Sequence, residues 1–158
     1  MSLIGQYLAL PQEVISELSE GTLLFKDIDR NAYGMLDIDR SWEGIHFLLC
    51  DTDYNGTPPE GYVVPLLNDQ SLKIPDFSTF YLKDDQVQEA AAYLDTLTTE
   101  QLRAKYSSER FVKEKIYPLF EGADAEGFWD YLISHLTEIQ KFYRIAASKG
   151  QGIVFYIV

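Results

Sequence analysis

Asp39, Glu43, His46 and Cys50 follow one another at three- and four-residue steps, with Trp42 between them. On a helix turning about 100° per residue, that spacing lines four reactive side chains along one stripe with the indole beside it. A His46–Cys50 pair is the beginning of an activated thiol, with the imidazole lowering the thiol pKa and Glu43 or Asp39 orienting the ring. Asp39, Glu43 and His46 alone offer hydrolase-type acid–base chemistry on a small molecule, with Tyr117 closing over the face. Glu43-x-x-His46 also has the spacing of a di-iron ligand pair. That chemistry needs two such motifs and two more carboxylates, and His135, the only other histidine, has Leu132 in the matching place. Side chains stacked on one helix lie side by side, and no oxyanion donor accompanies them. The plainer reading is an amphipathic helix with Asp39 as its N-cap, a buried Trp42 and a His46 hydrogen-bonded at the core edge.

Asp51-Thr52-Asp53-Tyr54-Asn55-Gly56 matches the first half of a calcium loop, where oxygens alternate before a sharp glycine turn. The twelfth position, which requires a bidentate Glu, holds Tyr62, and Pro58-Pro59 disfavours an exit helix. Ordinary turns use the same residue types. No metal or cofactor is therefore assigned. His135 reads as a histidine satisfied at the edge of the core, and the scattered tyrosines as half-buried packing residues. There is no glycine-rich phosphate loop after a strand, no serine elbow and no paired-cysteine motif.

The elements that must position these residues are legible from periodicity. Residues 3–10 alternate as a strand that Pro11 ends, and a helix carrying Val14, Ile15 and Leu18 runs to Gly21. Residues 22–35 fit either helix or strand. Asp39 to Cys50 is the second helix, Asp51 to Gly61 a surface loop, and Tyr62 to Leu67 an edge strand or extended loop, because of Pro65. Phe77 to Leu82 reads as a strand. Asp84 and Asp85 open a helix that buries Val87, Ala90, Ala91 and Leu94. Thr98 and Gln101 form a capping-box signature, and Ser107 or Ser108 caps the next helix, which ends by Tyr117 before Pro118. From an Asp124 cap to a Gly150 stop, Phe128, Leu132, Leu136, Ile139, Tyr143 and Ala146 recur at helical steps. Ile153 to Val158 is apolar on both faces, as an interior strand requires, with the opening strand and Phe77–Leu82 as its available neighbours. The expectation is an α+β fold: a small mixed or antiparallel sheet, including the N- and C-terminal strands, flanked by about five or six helices.

The chain of 158 residues is sized for one domain, spanning 1–158, and buries enough surface to fold without staples. Its 25 acids against 13 bases, a net charge of -12, repel phosphate backbones and anionic lipid. A cationic protein partner suits that field; nucleic acid and membrane do not. One cysteine, no basic leader and no long apolar run make the cytoplasm the expected compartment.

Leu36-Asp37-Ile38-Asp39-Arg40-Ser41-Trp42-Glu43-Gly44-Ile45-His46-Phe47 resembles the signature of the YfbM-like family, domain of unknown function 1877. The opening Ile4-Gly5-Gln6-Tyr7, the triplet Ile116-Tyr117-Pro118 and the final helix running into a glycine turn and apolar strand look like that family too. The resemblance implies a single-domain bacterial cytosolic protein of mixed helix and sheet, and no established activity. It maps the family motif onto Asp39, Trp42 and His46, with Arg40 where Lys is common and an acid at Glu43. Cys50 stands where a Thr is expected, and the Asp51–Gly56 loop lies outside the pattern. Together these readings favour a non-enzymatic binding protein with a cationic protein partner. The alternative is the acid–base enzyme, and the third reading a calcium-stabilised domain through Asp51, Asp53 and Asn55. Asp39, Trp42, Glu43, His46 and Tyr117 are the candidate site residues.

Overall fold

A strand apolar on both faces needs a neighbour on each side and a layer above and below. In the computed structural model, which describes residues 3–118 and 124–158, β5 (Gln151–Ile157) occupies that position. It lies between β1 (Gly5–Pro11) and β4 (Ser78–Leu82) in an antiparallel sheet of order β2-β1-β5-β4-β3. The edges are the short β2 (Met35–Asp37) and β3 (Ser71–Leu72). Alternation sorts the side chains. Tyr7, Ala9, Ile153, Phe155, Phe80 and Leu82 enter the larger core, while Leu8, Leu10, Val154 and Tyr156 enter a smaller one on the other face.

Among the described residues six α-helices flank the sheet: α1 (Gln12–Glu20), α2 (Trp42–Cys50), α3 (Asp84–Thr96), α4 (Thr99–Lys105), α5 (Ser108–Lys113) and α6 (Ala125–Ser148). The larger core takes residues from α2 through α6, and the smaller one takes Ile15 and Leu18 from α1. The expected stripe of α6 is buried in full, with Trp129 added. Its Asp124 cap accepts the Gly127 N–H, and Gly150, at φ +63°, turns the chain into β5. The reciprocal bonds of Thr98 and Gln101 open α4.

Several local expectations are corrected. The open stretch 22–35 resolves into two short 3-10 turns followed by the first residue of β2. Asp39 does not cap α2. It adopts a left-handed φ of 52°, its N–H bonded to the Asp37 carboxylate, and the helix starts at Trp42 with Ser41 in the capping position. Ser41 itself gives its hydroxyl to the Ile38 carbonyl. Tyr62–Leu67 joins no strand. It is the extended-loop alternative, but an interior one: Val63, Val64, Leu66 and Leu67 are all buried.

A buried irregular segment has no ladder to pair its backbone, so its carbonyls must find side-chain donors. Tyr7 on β1 and Tyr143 on α6 both donate to the Val63 carbonyl, each at 2.7 Å. The Tyr143 hydroxyl also lies 2.8 Å from the Tyr62 carbonyl, so its one proton is shared. Each of Tyr7→Phe and Tyr143→Phe should cost about 1 kcal/mol in denaturant unfolding, whereas the double variant strips both donors from Val63 and should cost more than the sum. Strict additivity would show that the two hydroxyls do not serve a common acceptor.

Candidate functional site

α2 can lie close on α6 because Gly44 has no side chain. A Cβ there would come within 2.8 Å of Leu132 and 3.0 Å of Phe128. With the helix seated this way, His46 is 0% exposed and its Nδ1 is 2.9 Å from the Val64 carbonyl. A carbonyl only accepts, so Nδ1 carries a proton, and full burial with nothing to accept from Nε2 favours the neutral ring. Nε2, a bare lone pair, has no partner among the described residues. Burial pushes the His46 pKa down, against smaller upward pulls from the Val64 carbonyl and Asp53. Cys50 is half-buried, and burial together with Glu60 pushes its thiol up to about 12. Thiolate is therefore scarce at neutral pH, and the activated His46–Cys50 pair is not formed. Trp42 turns its indole N–H to the Leu3 carbonyl, at 2.9 Å. The two rings thus bond to different segments, and with His46 sealed they share no exposed patch.

Asp39, one residue beyond β2 and Ile38, faces outward instead. Its carboxylate accepts the Tyr131 hydroxyl at 2.6 Å, and the Tyr131 oxygen accepts the Arg40 backbone N–H at 3.0 Å. The Tyr131 bond is the main cause that holds Asp39 below the usual carboxylate range, reinforced by the Arg40 N–H and guanidinium. Burial and the same bond push Tyr131 upward. His135, one turn along α6, sets its ring edge-on to Tyr131 at 4.8 Å, and burial lowers its pKa against the fields of Asp39 and Asp37. Tyr117 links the other two polar groups. It lies close to both Arg40 and Glu43, and burial is the main cause that raises the Glu43 pKa.

The structure thus places Asp39 beside Arg40, with Tyr117 close to Arg40 and Glu43, and seals His46 in the core, while the Trp42 indole turns to Leu3. Sequence reasoning missed Tyr131 and underrated His135. Their four-residue spacing on the flank of α6 was the available signal. In the Asp51–Gly56 loop, Asp51 pairs with Arg110 at 3.2 Å and Asn55 accepts the Asn68 N–H at 3.0 Å. Two of the three expected calcium donors are therefore engaged elsewhere, and no three His, Cys, Asp or Glu side chains converge as a metal site among the described residues.

The family model for the domain of unknown function DUF1877 matches residues 1–156, and the chain belongs to that family. The crystal structure of YfbM from Escherichia coli, itself a protein of unknown function, superposes with a TM-score of 0.74. It is 22% identical, over 98% of this chain and 99% of that one. That likeness shows the fold. No curated protein matches the chain. No helix among the described residues is long and apolar enough to cross a membrane.

The buried imidazole has a consequence for stability. Below an unfolded-state pKa of about 6.5, the unfolded chain takes up a proton that folded His46 resists, so stability is whole above that pH and falls as pH drops through the lowered folded value. His135 acts in the same sense. His46→Asn keeps a donor near the Nδ1 position and removes the titration. Denaturation midpoints should start lower at about pH 8 and fall less steeply between about pH 6.5 and 5 than those of the parent. Parallel curves would contradict the assignment.

Proposed function

We propose that the protein is a non-enzymatic binding protein that engages a cationic protein partner through the surface centred on Asp39. The observation that carries this reading is the contrast between the two ends of the motif. His46 is sealed in the core and Cys50 is half-buried with its thiol pKa raised, while Asp39 stays ionised at the surface and is held in a fixed orientation by Tyr131. A carboxylate pinned by an aromatic hydroxyl, with Tyr117 and His135 nearby, supplies the anchored charge and rigid rings that recognition surfaces favour. The overall charge supports the same reading. Among the described residues five ion pairs engage five acids, and the net charge of -12 provides a negative field to steer a basic partner. The acid–base reading lacks support because the one imidazole of the motif has no path to a substrate.

The test is affinity capture from lysate with the parent protein and Asp39→Asn, followed by identification of the bound proteins. A basic protein should be retained at about 50 mM salt and released at about 500 mM, with retention by Asp39→Asn reduced roughly tenfold. Absence of a salt-sensitive basic partner, or equal capture by the variant, would overturn the reading.

A further inference from the structure

Asn55-Gly56 lies in the loop that follows α2, and packing calls for both residues. Asn55 adopts a left-handed φ of 57°, a region that asparagine tolerates better than most residues with a Cβ. Gly56 sits against the end of α2, where a Cβ would come within 2.5 Å of the Cys50 sulfur and 2.8 Å of the Gly61 Cα. No larger residue fits without moving that contact. Asn55 is exposed and anchored at two points: its N–H donates to the Leu66 carbonyl and its side-chain oxygen accepts the Asn68 N–H, each at 3.0 Å. The Gly56 N–H, by contrast, donates to no group among the described residues. An amide side chain is thereby held next to a backbone nitrogen that is neither hydrogen-bonded nor shielded by a side chain of its own.

We infer that Asn55 is a site of spontaneous deamidation, with water as the co-reactant. Solvent base takes the Gly56 N–H proton, and that nitrogen attacks Cγ of Asn55. The N–Cγ bond forms, the Cγ–Nδ2 bond breaks, and Nδ2 takes up a proton and leaves as ammonia. Water then opens the five-membered imide at one of its two carbonyls, giving aspartate or isoaspartate, and nothing is oxidised or reduced. The Asn68 N–H on the Asn55 oxygen polarises the carbonyl that is attacked. The other two asparagines are placed differently. After Asn31, the Ala32 N–H is committed to the Asp29 carbonyl at 3.0 Å, and Asn68 is followed by Asp69, whose side chain shields the nitrogen. Either product adds a negative charge to a loop that already carries Asp51 and Asp53, and isoaspartate lengthens the backbone where Gly56 packs on Cys50. This inference concerns the loop after α2 and does not rest on the Asp39 surface.

Peptide mapping by mass spectrometry of the full chain, incubated at about 37 °C and at about pH 7 and about pH 8, tests the assignment. A free peptide spanning residues 51–60 gives the rate without the fold. Asn55 should convert at least about tenfold faster than Asn31 or Asn68, and within about tenfold of the peptide. Conversion should be about tenfold faster at the higher pH, because the attacking nitrogen must first lose its proton. Aspartate and isoaspartate should both appear at position 55. Asn55→Gln, whose longer side chain closes a less favoured six-membered ring, should stop the build-up of acidic species on ion exchange, with Asn55→Asp marking where the aspartate product elutes. Aspartate without isoaspartate would mean direct hydrolysis and would overturn the inference. So would a rate no faster than that of Asn31 or Asn68, a rate more than about tenfold below the peptide, or undiminished acidic species in Asn55→Gln.

Discussion

The structure depends on how the carbonyls of one buried, irregular segment are satisfied. Tyr62–Leu67 crosses the interior without a strand partner, and a buried peptide group left unpaired costs on the order of 1–3 kcal/mol. Three side chains from three elements supply the donors: Tyr7 from β1, Tyr143 from α6 and His46 from α2. The Val64 carbonyl also accepts the Leu66 N–H, so His46 fills the second of its two lone-pair sites. These bonds tie sheet, long helix and motif helix to a single stretch of backbone. The same burial that gives hydrogen bonds their strength makes any misplacement costly, and this fixes α2 in one rotational setting.

That setting decides what the motif can do. A helix turned to present His46 inward presents Ile45, Leu48 and Leu49 inward as well, and its entry is left at the surface. Asp39, held in a left-handed turn outside the helix, stays at the surface and finds Tyr131 on α6. Types of residue that suggest catalysis are thereby divided into two jobs. The imidazole is a neutral donor in the core, and the carboxylate is an ionised, oriented group facing solvent. Gly44, packed against Leu132 and Phe128, holds α2 in this setting.

What was legible in the sequence was local. The α6 stripe, the two-faced interior β5 and the reciprocal caps of Thr98 and Gln101 all arise from patterns within a few residues, whereas the choice between a mixed and an antiparallel sheet does not. Other features are set by distant partners. Tyr62–Leu67 reads as an edge strand or loop because Pro65 breaks it, and nothing nearby says that it is interior. His46 is 18 residues from the carbonyl it serves, and Tyr131 is 92 from Asp39. Spacing placed Asp39, Glu43, His46 and Cys50 on one face, but it assumed that the helix began at Asp39. The turn that moves the start to Trp42 is stabilised by the Asp37 carboxylate and Tyr131, and only the second of these is remote.

Everything above turns on His46 being a sealed, neutral donor to the Val64 carbonyl. Side-chain nitrogen NMR of the folded protein, with His46 assigned by its substitution, reads this directly. The spectra should show a proton on Nδ1, a bare Nε2, and no titration as pH passes through about 6.5. A proton on Nε2, or conversion to imidazolium near that pH in the folded state, would contradict it.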